Sequence, residues 1–163
     1  MTSTLRDGAD FTSPRDDRWL EDYVGGEVFE YGSVTIGDEE IQEFAERYDP
    51  QPIHTDPARA QDGPFGGLIA SGWQTASIFM RMFADNFLTS VGSLSSPGVD
   101  ELRWTAPVRP GDALWIRVTI VESRRSRSKP DRGIVRTHCE MFNQDDARVL
   151  SLYAMNLIAG RPE

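Results

Sequence analysis

The sequence is poor in residues that cross-link chains or bind metals. Its 163 residues include one cysteine, Cys139, and two histidines, His54 and His138. A single cysteine excludes an intramolecular disulfide and leaves a cysteine-based metal site almost without ligands. Long apolar runs are also missing. The most apolar stretch, residues 68–88, is broken by Arg81, Asp85 and Asn86. It falls short of the roughly 18 clean apolar residues of a membrane span, so it reads as a buried helix. The opening MTSTLRDGADFTSPRDDRW has no apolar core of the secretory kind, and cytoplasm is the expected compartment. Positive charge is scarce: 17 Lys and Arg stand against 26 Asp and Glu, a net charge of −9. Nucleic acid and anionic membranes are therefore poor partners, since both attract a cationic surface.

What is present fits one folded domain. A composition of 39% hydrophobic and 26% charged residues excludes wholesale disorder. A chain of this size buries roughly 70% of its unfolded surface, but it is too short for two ordinary domains. Residues 1–18 are polar, contain Pro14 and read as a flexible arm, with Trp19, Leu20 and Tyr23 docking its end onto a single domain over 19–163. A first strand is expected over 27–36. Asp38 then stands as an N-cap before a short helix with the apolar stripe Ile41, Phe44 and Ala45, ending near Tyr48 because Pro50 and Pro52 follow. Residues 49–67 form a Pro-, Gly- and Asp-rich loop, with a helical turn at 57–62 capped by Asp56. The segment over about 69–88 is apolar on nearly every side and predicts an enclosed core helix. Strands follow over 99–105, 113–122, 133–142 and 148–158, joined by short connectors and hence antiparallel. The expected class is α+β, a sheet wrapped around one long helix.

The densest chemistry lies in Tyr48-Asp49-Pro50-Gln51-Pro52-Ile53-His54-Thr55-Asp56-Pro57. Asp49 and His54 are five apart, which on a regular helix would put them on different faces. The prolines prevent a regular helix and can bend the loop until carboxylate and imidazole converge as an acid–base pair. An Asp-Pro turn beside a surface histidine satisfies the same spacing, and a metal site from Asp49, His54 and Asp56 is a weaker reading. In Phe65-Gly66-Gly67-Leu68-Ile69-Ala70-Ser71-Gly72-Trp73, a helix beginning near Ser71 leaves the Gly72 amide unpaired in its first turn. Such an amide can serve an oxyanion, although close helix packing explains the small residues equally well. Ser123-Arg-Arg-Ser-Arg-Ser-Lys129 is either a phosphate-binding cluster or a solvated connector. Cys139 and the core aromatics read as packing.

Three blocks carry a family resemblance. The run from Asp49 to Asp56 resembles the hydratase motif of the MaoC-like dehydratases, which include the (R)-specific enoyl-CoA hydratases. Leu68-Ile-Ala-Ser-Gly-Trp-Gln-Thr-Ala76 resembles the start of their central helix. Leu102-Arg-Trp-Thr-Ala-Pro-Val-Arg-Pro-Gly-Asp112 resembles the strand and turn that follow. The resemblance spans roughly residues 20–160. It implies a hot-dog fold, a homodimer, and water addition across a trans-2-enoyl thioester to give a (3R)-hydroxyacyl product, with no metal or redox cofactor. It also implies Asp49 and His54 as the water-activating pair and the Gly72 amide as the donor to the thioester oxygen. Gln51 and Ser71 are candidate substrate-binding residues, as are Arg125, Arg127 and Lys129 for the phosphates of coenzyme A. Gln51 departs from the Asn that many hydratases carry two residues after the acid. A thioesterase, or a non-catalytic acyl-CoA-binding subunit, would share the same fold.

Overall fold

The computed structural model describes residues 4–163. Six strands form one antiparallel sheet in the order β1-β2-β4-β5-β6-β3. They are β1 (Thr4–Gly8), β2 (Val28–Thr35), β3 (Ser93–Trp104), β4 (Ala113–Arg125), β5 (Arg132–Phe142) and β6 (Arg148–Ala159). Four helices lie between β2 and β3: α1 (Asp38–Tyr48), α2 (Pro52–Thr55), α3 (Pro57–Gln61) and α4 (Gly72–Asn86). The sheet curls around α4 in a hot-dog arrangement. Along β5, Val135, Thr137, Cys139 and Met141 are buried while alternate residues are half-buried, as the two-residue period of a strand requires. Leu114, Ile116, Val118 and Ile120 of β4 face the same core and meet Ile78, Phe79, Met82 and Phe83 of α4.

Several expectations need correction. The arm expected over 1–18 is not free where it is described, and its residues 1–3 lie outside the described residues. β1 pairs with β2, Thr4 opposite Gly32 and Leu5 opposite Tyr31. Phe11 stacks on Phe29 at 4.4 Å, and the Arg18 guanidinium lies 3.6 Å over the Phe11 ring. Asp38 is the first residue of α1 and not its cap. Gly37 holds that position, and the Asp38 carboxylate accepts from the Glu39 amide. α4 is shorter than the apolar segment, because residues 68–70 run irregularly into it. Nor is it enclosed on all sides: Trp73, Ser77, Met80 and Arg81 form an open face. β3 begins six residues earlier than expected and is exposed along most of its length.

Burial pushes the Cys139 thiol up to about 12, consistent with a packing role. Among the described residues, no helix is long and apolar enough to cross a membrane.

Candidate active site

The end of α1 delivers the acid. The Asp49 amide donates to Ala45 O at 2.8 Å, and Pro50 stops the helix there. Pro52 then opens α2, a single turn, because a proline at the first helical position sacrifices no intrahelical bond. That turn swings His54 inward, so that its side chain is 7% exposed against 18% for Asp49. Asp49 Oδ2 and His54 Nε2 lie 3.5 Å apart. Asp56 does not join them: it caps α3, accepting from the Arg59 amide at 3.0 Å.

Each member of the pair is fixed from behind. His54 Nδ1 lies 2.8 Å from Ile69 O. A carbonyl can only accept, so Nδ1 carries a proton and Nε2 is the ring nitrogen that faces Asp49. The same stretch is stitched on both sides. The Ile69 amide donates to Ile53 O at 3.2 Å, and the Ala70 amide donates to Val108 O at 2.8 Å. Asp49 is held by two donors: Ser71 Oγ reaches Oδ2 at 2.7 Å and Gln51 Nε2 reaches Oδ1 at 2.6 Å. The Ser71 hydrogen bond, then that of Gln51, with a smaller contribution from His54, hold the Asp49 carboxyl below the usual 3.8.

Ser71 has a second role. It is the N-cap of α4, its Oγ accepting from the Trp73 amide at 3.3 Å. One buried hydroxyl therefore ties the acid to the start of the central helix. The next residue, Gly72, is the first of α4, and its amide has no acceptor within the chain among the described residues. A cavity of about 310 Å³ opens there, lined by His54, Gly72, Thr75 and Trp104 and walled by Phe65 and Val108. The arrangement can hold a water against a carboxylate and an imidazole, beside an amide free to donate.

Asp49, Gln51, His54, Ser71 and Gly72 are thus brought together, Gln51 and Ser71 as groups that orient the acid. Arg125, Arg127 and Lys129 are not. They lie at the β4–β5 connector, the end of β4 remote from Ala113, which follows the cavity-lining segment 104–108. At the usual rise, β4 carries the chain about 40 Å between those ends. Arg125 is also engaged by Glu21, and the neighbouring Arg124 pairs with Glu122 at 2.8 Å. Sequence reasoning missed Trp104, which closes one side of the cavity. The motif containing it stood out, but only as a strand and a turn.

Comparisons with known proteins supply a family. Residues 23–140 match the family described as MaoC like domain. A MaoC-like dehydratase structure from Rhodospirillum rubrum is 37% identical, superposes with a TM-score of 0.83, and covers 90% of this chain and 99% of its own. The R-hydratase of Pseudomonas aeruginosa is 26% identical, with a TM-score of 0.71 over 88% of this chain and 86% of its own. A 3-hydroxyacyl-thioester dehydratase of Mycobacterium tuberculosis is 37% identical over 90 residues, which are 54% of this chain and 60% of that protein. The match to that relative therefore spans less than two thirds of its length. With the family matched over most of its length and the hot-dog sheet in place, this chain belongs to the MaoC-like dehydratase family.

Proposed function

We propose that the protein hydrates trans-2-enoyl-CoA thioesters to (3R)-hydroxyacyl-CoA and catalyses the reverse dehydration. The observation that carries this reading is the 3.5 Å approach of Asp49 Oδ2 to His54 Nε2 beside the unpaired Gly72 amide. A water held by the two bases adds its oxygen to C3 of the enoyl group and leaves its proton with the pair. The C2=C3 electrons move toward the thioester oxygen, where the Gly72 amide stabilises the developing enolate. The proton held by the pair then passes to C2, so one water is consumed and both bases return to their starting state. The positioned base contributes roughly 10²- to 10⁴-fold. The R-hydratase likeness supports the (3R) product, and the thioester dehydratase likeness supports a thioester substrate.

We also place the working unit as a homodimer joined along β3. That edge strand is exposed along most of its length and carries Leu94, Val99 and Trp104 in the open. Light scattering after size exclusion should give twice the 18.3 kDa of the chain. A monomer at micromolar concentration would remove this part of the reading.

The test of the reaction is loss of enoyl-thioester ultraviolet absorbance across a panel of trans-2-enoyl-CoAs, with a free-thiol assay and chiral analysis of product in parallel. Loss without thiol, giving the (3R) alcohol, is expected. Thiol release would replace the reading with a thioesterase, and no conversion of any panel member would replace it with a binding role.

A further inference from the structure

The cavity has four polar side chains on its wall: His54, Thr75, Trp104 and Thr105. Three are committed. His54 Nδ1 is bound to Ile69 O and its Nε2 faces Asp49. Thr75 Oγ1 donates to Ser71 O at 3.3 Å, and Thr105 Oγ1 donates to Arg148 O. Trp104 is the exception. Its indole N–H meets no acceptor in the chain among the described residues, and its ring packs against Gly72, a cavity-lining residue whose amide likewise has none among them.

The contact is close. A Cβ placed on Gly72 would stand 2.5 Å from Trp104 Cε2 and 2.8 Å from Nε1. Position 72 therefore has room only for glycine, because the indole fills the space a side chain would take. Standard bond geometry puts that Cβ position about 2.5 Å from the Gly72 amide nitrogen. Nε1 and the Gly72 nitrogen are then no more than about 5.3 Å apart. Two donors reaching one oxygen at about 2.9 Å each can be separated by up to about 5.8 Å. Trp73 braces the indole edge-on, with ring centroids 5.2 Å apart, so its position is supported from the open face of α4.

We propose that Trp104 is a further catalytic residue: its indole N–H joins the Gly72 amide in donating to the thioester oxygen. This rests on the hydratase reading above. Charge grows on that oxygen as the enolate forms, so the donor acts more on the reaction than on binding.

The experiment has two arms. In the first, Trp104→Phe keeps an aromatic wall against Gly72 and removes only the donor. On the enoyl-CoA that the wild type converts best, kcat should fall roughly 10- to 100-fold, with KM within about threefold. The second arm uses the wild-type chain and needs no variant to fold. Butyryl-CoA, which cannot be hydrated, is added to ¹⁵N-labelled protein. The Trp104 indole resonance should move downfield, and Trp73→Phe separates it from its neighbour. Retention of kcat within twofold, or an indole signal that butyryl-CoA does not move, overturns the proposal while leaving hydration intact. A moving indole signal in a protein that hydrates no enoyl-CoA would sink the reaction and keep the donor. Absence of any response to butyryl-CoA, together with absence of turnover, would remove both.

Discussion

The two ends of α4 are built for opposite purposes. At its C-terminal end several side-chain donors converge on carbonyls. Arg18 Nη1 donates to Asn86 O at 2.8 Å and to Phe87 O at 2.9 Å, Arg15 Nε donates to Leu88 O at 3.0 Å, and Tyr23 Oη donates to Phe87 O at 3.0 Å. Cations there also complement the negative end of the helix dipole. Phe11, Tyr23, Phe29 and Phe87 close around this knot as a set of stacked and edge-to-face rings. At the N-terminal end a single serine caps Trp73, and among the described residues the Gly72 amide has no partner beside an open cavity. Where a helix end is sealed, its polar groups contribute to the fold. Where it is left open, they are available to a ligand.

If that division is right, substitutions at the open end change turnover and those at the sealed end change stability. The largest effect is expected at the acid–base pair: Asp49→Asn or His54→Ala should each lower kcat by about 10³-fold, with the thermal midpoint little changed. Near wild-type turnover in either would dissolve the comparison. Arg18→Ala should do the reverse. It is 5% exposed, and its loss orphans carbonyls and opens space beside Phe11. Urea denaturation should show a loss of about 3 kcal/mol, with kcat of the folded protein within about twofold.

Ser71→Ala sits between the two, since the hydroxyl both caps α4 and holds Asp49. We expect about 1 kcal/mol of lost stability and a fall in kcat of roughly tenfold. It should also raise the Asp49 carboxyl toward its usual value, read by carbon NMR of that side chain. The sign follows from linkage. The folded-state value lies below the unfolded one, so the carboxylate stabilises the fold above about 3.8. That contribution is lost as pH falls through the folded value. Gln51→Ala should give the smallest change, the same direction with a lesser rise, because the Ser71 bond is the larger cause. A greater rise for Gln51→Ala than for Ser71→Ala would reverse that ranking.

What the sequence could show followed from how local each feature is. Asp49, Gln51 and His54 lie within six residues, and the prolines between them force the bend, so their convergence was legible. Gly72 followed from knowing where α4 starts. Trp104 was not legible, because its contact with Gly72 joins residues 32 apart in the chain and depends on the course of β3. β3 itself was half-hidden. Its first residues, SLSSPG, are exposed and carry Pro97 and Gly98, so they lack the apolar alternation by which strands are recognised. β1 was missed for the same reason: TLRDG on a sheet edge has no such pattern. The cations at 124–129 cluster in sequence, but strand length and sheet order decide which end of the molecule they occupy.

The seclusion of Cys139 has a practical consequence. The only thiol of the chain is fully buried and holds its proton far above neutral pH. A cysteine introduced at exposed Ser128 would therefore be the sole site open to maleimide or nitroxide reagents, with no background cysteine to remove. The natural sequence is ready for single-site labelling, and a spin label on the connector would report the separation of the two copies of any assembly directly.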